Sequence, residues 1–227
     1  MKESEIKNKE ERELVEETLA KLHSTNKKKL WIVKRTVDIV LSSLAILVFA
    51  IPMSIIALII YLTDRHSPFF VQERIGRFGR PFNMFKFRTM VPNADKMLDT
   101  VFDQNEMSGP VFKIKDDPRI TKVGKILRKT SLDELPQFFN VIRGDMTLIG
   151  PRPPLRREVE QYNEYQKIRL IVTPGITCLW QVHPQRNSVP FDEWVRMDID
   201  YILNRTIIMD IKIIFKTVIA MLSGEGE

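Results

Sequence analysis

The chain has 227 residues, 44% of them apolar and 28% charged, which is enough to bury one ordinary core and excludes a wholly disordered protein. Its 35 Lys and Arg against 29 Asp and Glu leave a formal charge of +6, a surplus suited to anionic partners such as nucleic acid, anionic lipid or phosphorylated substrates. A single cysteine, Cys178, excludes an internal disulfide, and His23, His66 and His183 are too scattered for a metal cluster.

Residues 1–29 are dense in Glu and Lys and place Leu14, Val15, Leu19 and Leu22 at helical spacing, so they read as a charged helix facing solvent or a partner. Residues 39–63, IVLSSLAILVFAIPMSIIALIIYLT, carry no charge and are long enough to cross a hydrocarbon core. The charged stretch ahead of this run excludes a secretory signal peptide. Lys27, Lys28, Lys29, Lys34 and Arg35 precede it, and Arg65, Arg74, Arg77 and Arg80 follow. The positive-inside rule assigns both flanks to the cytoplasm, which one straight span cannot satisfy. Pro52, near the middle, removes a helical hydrogen bond and acts as a hinge. Residues 30–64 are therefore expected to form a re-entrant membrane helix hairpin, with Ser42, Ser43 and Ser54 serving freed backbone groups. A proline-kinked spanning helix and a buried core helix are the alternatives.

Residues 68–90, PFFVQERIGRFGRPFNMFKFRTM, set two aromatic runs around Gly76, Gly79 and Pro81, the pattern of a short β-hairpin. Lys86 and Arg88 alternate with Phe85 and Phe87, which makes a basic face either a phosphate platform or simply a solvated edge. Helical patterns follow near residues 93–101 and 124–128, from Ser131, and over 155–171. Residues 171–191 read as loop, broken by Pro174, Gly175, Pro184 and Pro190, with Cys178 a small packing residue. Residues 197–222 are apolar but threaded by Asp200, Arg205, Asp210, Lys212 and Lys216, which suits interfacial amphipathic helices better than a span; packing on the core is the alternative. The expected class is α+β, mostly helical, in a monotopic membrane protein divided at residues 1–29, 30–64 and 65–227.

Within KTSLDELPQ the adjacent Asp133 and Glu134 have a plain explanation as part of a helix start, Ser131 and Glu134 forming a capping box. They also have a chemical one. Neighbours on a helix point about a quarter-turn apart, so the two carboxylates take separate jobs. An aspartate near Lys122, Lys125, Arg128, Lys129 and Arg152 stays ionised, ready as a nucleophile or metal ligand, while the longer glutamate can reach a proton.

The blocks FFVQERIGRFGRPFNMFKFRTM, DPRITKVGKILRKTSLDELPQFFNVIRGDMTLIGPRP and TPGITCLWQV make the chain, from about Arg35 to its C-terminus, resemble the bacterial sugar transferase family, the monotopic phosphoglycosyl transferases. The resemblance implies an enzyme of the bacterial inner membrane, acting on its cytoplasmic face to start exopolysaccharide, capsule or O-antigen assembly. Asp133 would attack the sugar-bearing phosphate of a UDP-sugar, release UMP and hold a phosphosugar covalently. Polyprenol (undecaprenyl) phosphate would then take up the phosphosugar, with Glu134 as base. Mg2+ near Asp133 is implied, and Lys86, Arg88, Arg128, Arg152 and Arg186 match basic motif positions for phosphate binding. Cys178 stands where the family usually has glycine, and HPQRN is longer than the usual turn before the arginine. The stretch after Pro174 resembles hexose-1-phosphate transferases, which favours UDP-glucose or UDP-galactose. A membrane-anchored nucleic-acid binder or a scaffold would also explain the charge, but leaves the carboxylate pair unused.

Overall fold

The computed structural model describes residues 12–21, 28–101, 103, 105–112, 114, 116–183 and 189–222. Residues 12–21 are helical (α1), and Val15 packs against a core cluster built around Trp180, Phe191 and Trp194. Leu22 and Arg186 lie outside the described residues.

The apolar run is one helix, α2, Lys28–Asp64, which continues through Pro52. By length and composition it could cross a membrane, and its middle is bare, with Leu47 75% and Ile51 74% exposed. That exposure rules out the core-helix alternative, since a core helix hides such side chains. Ser54 donates to Ala50 O and not to the Val48 carbonyl that Pro52 leaves without its helical donor, and the buried Ser42 Oγ has no hydrogen-bond partner among the described residues.

Both thirds of α2 that flank this bare middle dock on the same body. Near its start, Arg35 donates to Val141 O at 2.6 Å and Ile142 O at 2.9 Å, closing the end of the helix Gln137–Arg143, and the buried Asp38 accepts from Thr147 Oγ1 and Leu148 N. Lys34 reaches Asp38 at 3.8 Å and Asp210 at 3.4 Å. Beyond Pro52, Met53 and Ile60 join Phe87, Leu127 and Leu135 in a cluster of their own.

The hairpin forms as expected. β1 (Phe69–Ile75) pairs antiparallel with β2 (Pro81–Phe87), with Phe70 opposite Lys86 and Arg74 opposite Phe82. Phe78 and Gly79 both take positive φ in the turn, where glycine is at ease. The helix α3 (Lys122–Lys129) starts where Thr121 Oγ1 accepts from Gly124 N. A 3-10 turn (Leu132–Glu134) and then α4 (Gln137–Arg143) follow.

Several expected elements differ. Residues 93–101 are a 3-10 turn (Ala94–Met97) and one short helical turn (Leu98–Val101). The stretch 155–171 is three pieces, Arg156–Val159, Glu164–Lys167 and the 3-10 turn Ile168–Ile171, because Asn163 and Gln166 form a capping box that starts a fresh helix. The loop after Ile171 hides a strand: β3 (Thr147–Ile149) runs parallel to β4 (Gly175–Thr177). This contact needs glycine on both sides, since a Cβ at Gly175 would sit 2.1 Å from Gly150 N. The C-terminal apolar stretch is two helices. α5 (Phe191–Asn204) is a core helix, burying Phe191, Trp194, Val195, Ile199 and Ile202, which corrects the interfacial reading for that half. α6 (Ile207–Leu222) buries Ile213 but leaves Ile208, Ile211 and Phe215 at 60% exposure or more.

Replacing Asp38 by Ala strips Thr147 and Leu148 of a buried acceptor and Lys34 of a partner. The expected cost is about 2–4 kcal/mol, read as a lowered midpoint in denaturant unfolding.

Candidate active site

The hairpin, α3, the 3-10 turn and the loop after β3 surround a cleft of about 1060 Å³. It is lined by every described residue singled out from the sequence for phosphate chemistry: Lys86, Arg88, Arg128, Asp133, Glu134 and Arg152.

Asp133 is buried, at 6% exposure, in the turn that Ser131 enters with a left-handed φ of 54°. Ser131 makes no side-chain cap there, and Glu134 meets Lys86 instead, so the capping box does not form. Lys86 Nζ lies 2.7 Å from Glu134 Oε1 and 3.8 Å from Asp133 Oδ2. One ammonium thus faces both carboxylates, although neighbours on a helix point about a quarter-turn apart. The fully buried Asn140 holds this arrangement: its amide donates to Asn83 O at 2.7 Å and accepts from Phe85 N at 3.0 Å. β2, which carries Lys86, is thereby tied to α4, which follows the Asp133 turn directly.

The remaining cations are positioned by side-chain and backbone oxygens. Arg128 Nε donates to Thr89 Oγ1 at 3.0 Å and Arg88 Nε to Ser67 O at 2.8 Å. Arg152 Nη1 is 3.5 Å from Glu158 Oε2, and the buried Glu158 also accepts from Leu155 N at 3.0 Å. Arg119 is committed to Asp117 and sits over the Phe112 ring, so it adds little net charge.

Arg74 lines the cleft and was not singled out from the sequence. It donates to Gln72 Oε1 and to Pro153 O, which ties the hairpin to the loop that presents Arg152. Burial first, and then the neighbouring Arg152, push its guanidinium well down, to about 9. An anion between these two arginines would relieve that repulsion. Strand alternation contained the signal, because Phe70 faces Lys86 across the hairpin and Gln72 and Arg74 follow at steps of two.

Cys178 is buried, and burial pushes its thiol well above the usual range, which removes it as a nucleophile. Among the described residues no group of three His, Cys, Asp or Glu side chains could hold a metal alone. Mg2+ commonly binds through one or two carboxylates completed by substrate phosphates, and the Asp133 turn fits that mode. Chemically, the cleft offers a buried carboxylate beside cations able to neutralise a phosphate that would otherwise repel it.

Residues 29–224 match the family model described as bacterial sugar transferase. The chain is 50% identical over 163 residues, 72% of its length and 36% of the relative's, to "Galactosyl transferase CpsE" of Streptococcus agalactiae serotype III. It is 43% identical over 197 residues, 85% of its length and 41% of the relative's, to "Undecaprenyl-phosphate galactose phosphotransferase" of Salmonella typhimurium. "Exopolysaccharide production protein ExoY" of Rhizobium meliloti is 38% identical over 198 residues, 86% of this chain and 87% of that one. The chain thus spans less than half of the first two relatives and most of the third. With its motif residues gathered in one cationic cleft and the family model covering nearly its whole length, this chain belongs to the bacterial sugar transferase family.

Proposed function

We propose that the protein is a phosphoglycosyl transferase, moving a hexose 1-phosphate from a UDP-hexose to undecaprenyl phosphate. The observation that carries this reading is the buried Asp133 carboxylate, 3.8 Å from Lys86, in a cleft also lined by Arg74, Arg88, Arg128 and Arg152. An Asp133 oxygen attacks the sugar-bearing phosphorus. The bond from that phosphorus to the bridging oxygen breaks, and UMP leaves with the bond's electrons. An oxygen of undecaprenyl phosphate then attacks the same phosphorus, and the aspartyl bond breaks to restore the carboxylate. Glu134, beside the same ammonium, takes up any proton that the acceptor brings. Lys86, Arg74 and Arg152 offset phosphate charge in both steps. Mg2+ held by Asp133 and the diphosphate would supply further charge neutralisation.

The acceptor is supported by the apolar part of the cleft's lining, which includes Leu41 and Ala45 of α2 and Ile214 and Val218 of α6, a wall for a polyprenol chain. A galactose donor is supported by the names of two of the relatives. By this reading the enzyme initiates exopolysaccharide, capsule or O-antigen assembly at the cytoplasmic face of the inner membrane. There α2 is re-entrant: both its thirds dock on one globular body, which favours both ends lying on one side. Residues before Arg35 and after Asp64 are expected to share the cytoplasmic side. Single cysteines placed in each flank of a Cys178→Ser protein test this, and outside labelling of one flank only would establish a spanning helix. Pro52→Ala should then send some molecules across.

Arg152 can offer a planar fork to phosphate, which lysine cannot copy, whereas Lys122 is exposed on α3. Arg152→Lys is expected to lower UMP release about 10²-fold, the usual loss for one positioned donor, and Lys122→Arg to leave it unchanged. Equal mild losses in a steady-state assay would mean that overall charge alone matters.

Asp133→Asn should abolish both UMP release and transfer of label from the donor. Glu134→Gln should still accept label on Asp133 but pass it slowly to undecaprenyl phosphate. Intact-protein mass after exposure to UDP-hexose without acceptor, followed by peptide mapping, decides the matter. An active enzyme with no adduct under rapid quench, or an adduct elsewhere, would falsify the nucleophile assignment. Full function in Asp133→Asn would instead favour a scaffold.

A further inference from the structure

A second cavity, of about 250 Å³, lies beside the first third of α2 and is lined by Lys34, Arg35, Asp38, Arg77, Gly144 and Arg205 among others. It shares no lining residue with the catalytic cleft. Lys34 is answered by Asp38 and Asp210. The arginines are answered differently: Arg35 donates to Val141 O and Ile142 O, and Arg77 to Ile171 O, carbonyls that orient a guanidinium without cancelling its charge. Arg205, at the end of α5, is close enough to Lys34 to repel it. Four cations against one lining carboxylate therefore surround a hollow large enough for a phosphate ester.

The residues next in sequence to these cations are apolar and exposed. Ile32, Val33 and Val37 on α2 are 60%, 44% and 43% exposed, within three residues of Lys34 and Arg35. Ile207, Ile208 and Ile211 on α6 are 46%, 66% and 60% exposed, immediately after Arg205. A soluble anion would need only the cations. A ligand with a phosphate head and hydrocarbon tails uses both.

We propose that this cavity binds the phosphodiester headgroup of an anionic glycerophospholipid, with its acyl chains lying along the bare isoleucines of α2 and α6. The bound lipid bridges the start of the membrane helix, the hairpin turn and the α5–α6 junction.

The test uses the full-length protein in detergent, titrated separately with phosphatidylglycerol, phosphatidylcholine and inorganic phosphate, with the thermal midpoint as readout. Phosphatidylglycerol should raise the midpoint saturably and the other two should not. The double variant Arg77→Gln, Arg205→Gln should weaken that binding about thirtyfold, roughly fivefold per arginine. Equal stabilisation by phosphatidylcholine, or unchanged phosphatidylglycerol affinity in the double variant, overturns the site. Equal stabilisation by inorganic phosphate overturns the lipid assignment and leaves a free-phosphate site. A photoreactive phosphatidylglycerol on the unmodified protein gives an independent reading: adducts should map to peptides containing Ile32–Val37 or Ile207–Ile211, and adducts confined to other peptides overturn the proposal. None of these readouts depends on the sugar transfer reaction.

Discussion

Lys86 stands between two carboxylates, 2.7 Å from Glu134 and 3.8 Å from Asp133, and the layout of the cleft follows from keeping it there. Two carboxylates side by side in a partly buried turn repel each other, and the ammonium between them offsets that repulsion. The ammonium comes from a strand more than forty residues earlier in the chain, so hairpin and turn must be held in fixed relation. Asn140 does this with hydrogen bonds to both Asn83 and Phe85, and Phe87 anchors the end of the strand in the cluster shared with Leu127 and Leu135. A shift of the hairpin would therefore disturb charge balance and core packing together.

The same economy ties the active body to the apolar helix. Charged hydrogen bonds hold the first third of α2, through Arg35 and Asp38, and aliphatic packing holds the last third, through Met53 and Ile60. The bonded end fixes direction and register, because Thr147 Oγ1 and Leu148 N, the donors that Asp38 meets, are set at fixed positions on β3. The packed end fixes distance. Between them, Leu41 and Ala45 of α2 line the same cleft as Asp133, so the apolar helix itself forms part of the wall of the carboxylate's cavity.

Much of this was legible in the sequence where one local rule dominated. The uncharged run was legible as one long apolar segment, with a core helix among its readings until the exposed Leu47 and Ile51 excluded it, and Gly76, Gly79 and Pro81 marked the hairpin turn. The described motif cations Lys86, Arg88, Arg128 and Arg152, from segments far apart in the chain, line one cleft. Reading failed where partners were distant. The pattern over 155–171 is helical in period, yet the chain turns at Asn163 and brings Arg169 to Asp198, at 2.6 Å, and to Tyr162. Strand β4 is three residues long and exists because Gly150 and Gly175 let two backbones touch, a tertiary fact that no periodicity carries. Ser131 and Glu134 had the capping-box spacing, but Lys86 is a stronger partner for Glu134 than a backbone N–H, and the charge-assisted pair prevailed.

Arg74 and Arg152 extend this logic from folding to binding. Arg74 is held in place by Gln72 and Pro153, neutral groups that orient its guanidinium and leave its charge. Glu158 offsets Arg152 at 3.5 Å, so the pair keeps a surplus of positive charge in a place where water screens it little. Stability is spent to hold the two cations together, and a phosphate returns it on arrival by removing the repulsion. Arg74 is fixed in direction as well as in charge, because turning it away breaks its bonds to Gln72 and Pro153 and with them the link between hairpin and loop. Leu41, Ala45, Ile214 and Val218 of α2 and α6 line the same cavity as this cationic pair, so polar and apolar recognition share one cleft.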